Sequence, residues 1–220
     1  MSLEKRYQQI IASIEYTYGE FNPKYKNVIK RPADLCIVSK NRPIEDVKRL
    51  IALGHEIFGE NKVQEAKDKW GSDKFGCRVH MIGPLQTNKV RDALELFDVI
   101  ESLDRERLVN EICKYDAGKV TTKEFYIQVN VGDEQQKAGV RFGEAQDFID
   151  FCIKEKKLNV TGLMCIPPKG EKAFPYFCTL LQLAQQNQLP NRSMGMSSDF
   201  VEAIECGSTQ VRIGSAIFDG

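Results

Sequence analysis

Apolar residues follow two rhythms along this chain. Near the start, Leu3, Tyr7, Ile10, Ile11 and Ile14 recur at helical spacing, which predicts one amphipathic helix. From Leu35 onward, short apolar runs alternate with longer helix-periodic stretches. The runs "DLCIVS", "EIFGE", "RVHMIG", "DVIESL", "FYIQVN", "VTGLMCI", "RSMGMS" and "QVRIG" read as eight strands. A continuous apolar run of that length suits a strand covered on both faces. Between them, "IEDVKRLIALG", "QTNKVRDALELF", "RERLVNEICKYD", "GEAQDFIDFCIKEKK" and "YFCTLLQLAQQNQ" carry apolar residues at helical spacing. Strands alternating with helices imply parallel pairing and right-handed crossovers. The expected fold is α/β: a single (β/α)8 TIM barrel over residues 1–220, with an extra N-terminal helix. An open doubly wound sheet is the alternative, and its GxGxxG turn after the first strand is missing.

A barrel gathers its function at the C-terminal ends of its strands. Those ends here are Lys40, Glu60-Asn61, Gly83, Asp104, Asn130, Pro167, Ser197 and Gly214. Counting back by two from Lys40, Val38 and Cys36 share its face, which is expected to point into the barrel. A solvated strand-end lysine is the ordinary alternative. The seventh strand runs into "SMGMSSDFVEAIECG", where Ser197, Ser198 and Asp199 offer N-cap chemistry and Gly207 can end the helix. The eighth strand ends in Gly214-Ser215. Small residues at these two consecutive strand ends can cradle a phosphate, and barrels often hold one there. Arg212 lies two residues before Gly214 on the inward face, where burial calls for an anion or acceptor; a structural pair with an interior carboxylate is the alternative. A phosphorylated aldehyde anchored at the last two strands would offer its carbonyl to Lys40. Roughly one unperturbed lysine in a thousand is a free amine near pH 7, so partial burial and the Arg212 cation are expected to favour that form.

Acidic and basic residues balance at 31 each, so charge makes no case for nucleic acid or an acidic membrane surface. No apolar run approaches a membrane span, and "MSLEKRYQQI" lacks the apolar core of a signal peptide. Seven scattered cysteines without a CxxC pair suit a reduced, cytoplasmic protein with no metal site. A monomer is expected.

The segments "VSKNRP", "FGENKVQE", "HMIGPLQTNKVR", "VNVGDEQQKAGV", "GLMCIPP" and "SMGMSSDFVEAIECGSTQVRIGSAIF", in this order, resemble the YggS/PROSC family of pyridoxal 5'-phosphate (PLP) homeostasis proteins. The resemblance implies a PLP-binding barrel like the barrel domain of alanine racemase. It implies that Lys40 bears PLP as an internal aldimine and that Arg212 faces the pyridine nitrogen. Ser197, Gly214 and Ser215 would hold the phosphate, and Asn61 would lie near the ring, although it also reads as an N-cap for the next helix. Lys137 matches a family lysine and reads either as a solvated loop residue or as a transient second PLP contact.

Three positions depart from the family. Asn41-Arg42 replaces Thr-Lys, Cys165 stands where threonine is common, and Asp219 is inserted near the end. Cys165 reads as a core cysteine ahead of an aldehyde trap, and His80 as structural. The function expected is intracellular PLP homeostasis without efficient turnover, with PLP buffered or delivered to apo-PLP enzymes. Arg212 opposite the ring nitrogen makes a poor electron sink, and this chain offers no second domain to supply another proton-transfer residue. A PLP-dependent amino-acid racemase is the first alternative and a Schiff-base aldolase the second. Either needs an acid/base group near Lys40, for which Glu60 and Asp104 are the strand-end candidates.

Overall fold

The predicted N-terminal helix forms as α1 (Leu3–Tyr25) in a computed structural model that describes residues 1–25, 30–71, 73–115 and 123–219. Side chains are described outside 21–25. Seven strand–helix units follow: β1 (Asp34–Val38), α2 (Ile44–Ile51), β2 (Ile57–Glu60), α3 (Val63–Trp70), β3 (Arg78–Met81), α4 (Val90–Leu96), β4 (Val99–Leu103), α5 (Glu106–Ile112), β5 (Glu124–Asn130), a two-residue β6 (Val140–Arg141), α6 (Ala145–Asp150), β7 (Val160–Cys165), α7 (Phe174–Gln186), β8 (Asn191–Ser193) and α8 (Phe200–Glu205). The eighth unit is β9 (Gln210–Ile213) with the short α9 (Ser215–Phe218).

All strand pairings are parallel. The order β4-β3-β2-β1-β9-β8-β7-β5, closed by β4 against β5, is an eight-stranded barrel. All eight predicted strands are present, and β6 is an unforeseen addition. It pairs Val140 and Arg141 with the last residues of β5, past the point where β4 has ended. The run "RSMGMS" yields a strand of only three residues, because Gly195 (φ +96°) turns the chain away from the sheet. The predicted fifth crossover helix changes to a π-helical turn at Phe151–Glu155. The last residue of the run "RERLVNEICKYD", Asp116, lies outside the described residues.

The main apolar core lies between barrel and helices, where Leu35, Ile37, Phe58, Val79, Leu163 and Val211 meet Leu50, Ala66, Phe177 and Ala203. Inside the barrel a small apolar layer of Val99, Tyr126 and Met164 sits beside a polar one. Closing β1 on β9 sets Cys36 beside Arg212 and Ile37 beside Ile213. That register brings Arg212 beneath the end of β1. Side chains that repeat every two residues along a strand alternate between these inner and outer environments.

Candidate functional site

At the C-terminal mouth of the barrel lies a cavity of about 600 Å³. Lys40, Asn61, Ser197, Arg212, Gly214 and Ser215 all line it, so the six residues expected to hold the cofactor converge on one place. Apolar walls come from Val38, Ile82, Ile166 and Met196, which reach it from the ends of four different strands.

Lys40 is exposed at the mouth and Arg212 is buried below it, so the partial burial expected for Lys40 is not found. The turn that carries Lys40 is built from α3. Asn41 adopts a left-handed conformation (φ +57°), and its N–H donates to the Glu65 carboxylate. Lys69 Nζ donates to the Ser39 carbonyl at 2.5 Å and to Glu60 Oε1 at 2.8 Å. Glu60 also accepts from Ser39 Oγ (2.7 Å) and Trp70 Nε1 (3.2 Å). Glu60, a strand-end candidate for the acid or base that only the enzyme alternatives need, shares the outward face of Phe58 and does not line the cavity. It is buried behind the strand and supports Ser39 instead. Asp104 does not line the cavity either; it is paired with Arg105, and burial raises its pKa.

Arg212 is 4% exposed, and its guanidinium donates to Ser193 Oγ (2.7 Å) and to the Cys165 carbonyl (2.8 Å). Ser193 Oγ donates in turn to Glu101 Oε2 (2.5 Å), while Gln210 Nε2 and the His80 ring bond Glu101 Oε1 at 2.6 and 2.7 Å. The interior carboxylate weighed for Arg212 therefore exists, one hydroxyl away. Burial alone would raise the Glu101 pKa; His80 and Arg212 outweigh it and hold the carboxyl below its usual range. His80 is buried and structural in this network. Cys165 is fully buried, and desolvation pushes its thiol up to about 12, as suits a core cysteine.

On the opposite wall, Ser215 Oγ donates to Ser197 Oγ (3.1 Å), so hydroxyls from the ends of β8 and β9 meet at one point. The Asp199 carboxylate accepts from the Met196 N–H (2.6 Å) and fixes the turn before α8, where a cap on the helix itself was expected. Gly207 (φ +87°) ends α8: its N–H reaches Ile204 O, and that of Ser208 reaches Ala203 O. Gly214 permits close approach, since a Cβ there would fall 2.9 Å from the Val38 carbonyl oxygen. Asn61 makes no cap bond; Lys62 holds the N-cap position of α3. Lys137 is outside the cavity lining, tied to the Pro167 carbonyl (3.0 Å) and Glu134 (2.5 Å).

Residues 24–220 match the family model described as alanine racemase, N-terminal domain. The pyridoxal phosphate homeostasis protein of Pasteurella multocida is 33% identical, with 99% of this chain and 97% of that protein covered. This chain belongs to the pyridoxal phosphate homeostasis protein family. PipY of Synechococcus elongatus, solved with PLP bound, is 29% identical with a TM-score of 0.73, over 90% of this chain and 98% of that one. The alanine racemase of Corynebacterium glutamicum shares the fold (TM-score 0.67, 19% identity), with 94% of this chain and 57% of that one covered.

Two of the three departures read from the sequence meet in space. Arg42 pairs with Asp219 and lies 5.0 Å over the Phe218 ring, and both members of the pair line the cavity. Sequence reading noticed each departure and missed their contact, because 177 positions separate them. Of the apolar walls, Val38 was placed on the inward face with Lys40, while Ile82, Ile166 and Met196 were missed. Ile82 and Ile166 sit within the family segments "HMIGPLQ" and "GLMCIPP", which was the available signal. Among the described residues, no helix is long and apolar enough to cross a membrane.

Proposed function

We propose that this chain binds PLP in the mouth cavity and serves PLP homeostasis, holding the cofactor through Lys40 and releasing it to apo-PLP enzymes. One observation carries the reading. Six residues nominated from widely separated positions line a single cavity, and they form a matched donor set. The paired Ser197 and Ser215 hydroxyls suit a phosphate. Val38, Ile82, Ile166 and Met196 suit the faces of a planar ring, Arg212 is the donor for a ring nitrogen, and Lys40 is the amine at the rim. Bound PLP supplies an aldehyde that condenses reversibly with primary amines.

Each residue then has a defined task. Lys40 presents Nζ on a turn fixed by Glu65 and Lys69. Arg212, held by Ser193 and Cys165, opposes protonation of the ring nitrogen and so disfavours carbanion chemistry. Asp219 is the carboxylate among the described lining residues, and it is engaged by Arg42. This arrangement favours a carrier over a racemase, which needs proton donors on both faces of its substrate.

Borohydride reduction of the PLP-loaded protein, followed by peptide mapping, is expected to place the pyridoxyl group on Lys40. A main adduct on Lys137, with Lys40→Ala binding normally, overturns the assignment. Pyridoxal without phosphate is expected to bind much more weakly than PLP, and Ser197→Asp to weaken PLP selectively by adding like charge. Incubating an apo-PLP enzyme with the loaded protein tests delivery. Recovery no faster than with the same free PLP concentration leaves buffering alone. Rapid formation of D-amino acids from L-isomers refutes the carrier reading.

A further inference from the structure

Outside the cavity, two thiols contributed by different helices meet. Cys178 lies in the second turn of α7 and is half-buried; Cys206 caps the C-terminal end of α8 and is fully buried. Both are free, and their Sγ atoms are 2.7 Å apart. A disulfide has a sulfur–sulfur length of roughly 2.05 Å, so closing the bond requires only a small further approach. The Cys206 thiol also reaches the Phe174 carbonyl at 3.5 Å, which ties it to the first residue of α7. The resemblance assigns a role to neither cysteine, and neither lines the mouth cavity.

We propose that Cys178 and Cys206 form an oxidisable dithiol, closed by a hydroperoxide, which latches α7 to the C-terminal end of α8. Cys178 is the entry point because it is the more accessible thiol. Its sulfur attacks a peroxide oxygen, the O–O bond breaks, and the thiol proton leaves in a molecule of water. Cys178 becomes a sulfenic acid. The Cys206 sulfur then attacks the Cys178 sulfur, the S–O bond breaks, and the hydroxyl leaves as water with the Cys206 proton. Two thiols and one hydrogen peroxide give one disulfide and two waters; the sulfurs lose two electrons and the peroxide gains them. Burial and the neighbouring Cys178 push the Cys206 thiol above its ordinary range, which disfavours it as the first attacker.

The latch has a structural consequence because α8 is short. The turn before its first residue supplies Met196, Ser197 and Ser198 to the mouth cavity, and Cys206 follows its last residue. A bond at the far end therefore restrains the helix that carries that wall. The thiol chemistry itself is independent of what the cavity holds.

The full chain is treated with one equivalent of hydrogen peroxide, denatured, alkylated and digested with trypsin without reductant. Cleavage after Lys172, Arg192 and Arg212 puts Cys178 in peptide 173–192 and Cys206 in peptide 193–212. After cleavage at Arg192 only a disulfide can hold these two peptides together. The expected product is that joined pair, split by dithiothreitol, with free thiols falling from seven to five. Cys206→Ser is expected to abolish the pair and leave Cys178 as sulfenic or sulfinic acid. Recovery of both peptides separately alkylated, with oxidation confined to exposed Cys113, overturns the proposal. Amide exchange across Phe200–Glu205 is expected to slow several-fold on oxidation; unchanged exchange in the cross-linked protein removes the latch.

Discussion

Replacing Lys69 by Met tests the support behind the Lys40 turn. The side chains of Lys69 and Glu60 are 6% and 0% exposed, and Nζ lies 2.8 Å from Glu60 Oε1. Deleting the ammonium leaves Glu60 with Ser39 and Trp70 as donors to one oxygen, and with no partner for Oε2 among the described residues. Removing one member of a buried pair costs about 3–5 kcal/mol, because the remaining charge stays desolvated. For a chain of this length each kcal/mol lowers Tm by roughly 2–4 °C, which gives an expected drop of roughly 6–20 °C. Glu60→Gln combined with Lys69→Met removes both charges and is expected to be clearly more stable than Lys69→Met alone. Urea unfolding of the wild type, both single variants and the double variant measures this coupling. PLP affinity provides a second readout, since Lys69 also holds the Ser39 carbonyl next to Lys40. A loss under about 1 kcal/mol for Lys69→Met, the range of exposed pairs, refutes the reasoning.

Three further expectations follow from single positions. Burial lowers the His55 pKa to about 4, with its ring between the Tyr7 hydroxyl and the Ile57 carbonyl. Between pH 6.5 and 4 the unfolded chain therefore gains a proton that the folded ring refuses, so stability falls with pH by about 3 kcal/mol. His55→Gln is expected to flatten that slope in denaturant titrations, and an unchanged slope assigns it to other groups. A Cβ at Gly83 would fall 2.8 Å from Asn61 Cα, so Gly83→Ala is expected to displace Asn61 and weaken PLP binding several-fold, at a stability cost of about 1–3 kcal/mol; fluorescence titration checks it. Asp219→Asn removes a carboxylate from the cavity and is expected to tighten PLP but not pyridoxal. Its stability should change by less than about 1 kcal/mol, since the Arg42–Asp219 pair is partly exposed to solvent on both sides. Equal gains for both vitamers show that charge is not the cause.

The chain by itself determined the barrel's parts and nominated its site. Strand and helix periods are local, because side chains repeat every two residues in one and every 3.6 in the other, and so eight alternations could be read directly. The rule that barrels work at their strand ends then carried Lys40, Ser197 and Gly214 to one rim. Tertiary structure decided which groups are partners. The direction of Glu60 was within reach of strand parity, given Phe58 two residues earlier, but its support by Lys69 and Trp70 depended on how α3 packs. Glu101 meets Ser193 and Gln210 across 92 and 109 positions, and Arg42 meets Asp219 across 177. Barrel closure and register bring such contacts together, since pairing β1 with β9 fixes which inward side chains share a level. A hydrogen bond or ion pair depends on ångström-scale distance between chain-distant groups, and no local period along the sequence encodes that.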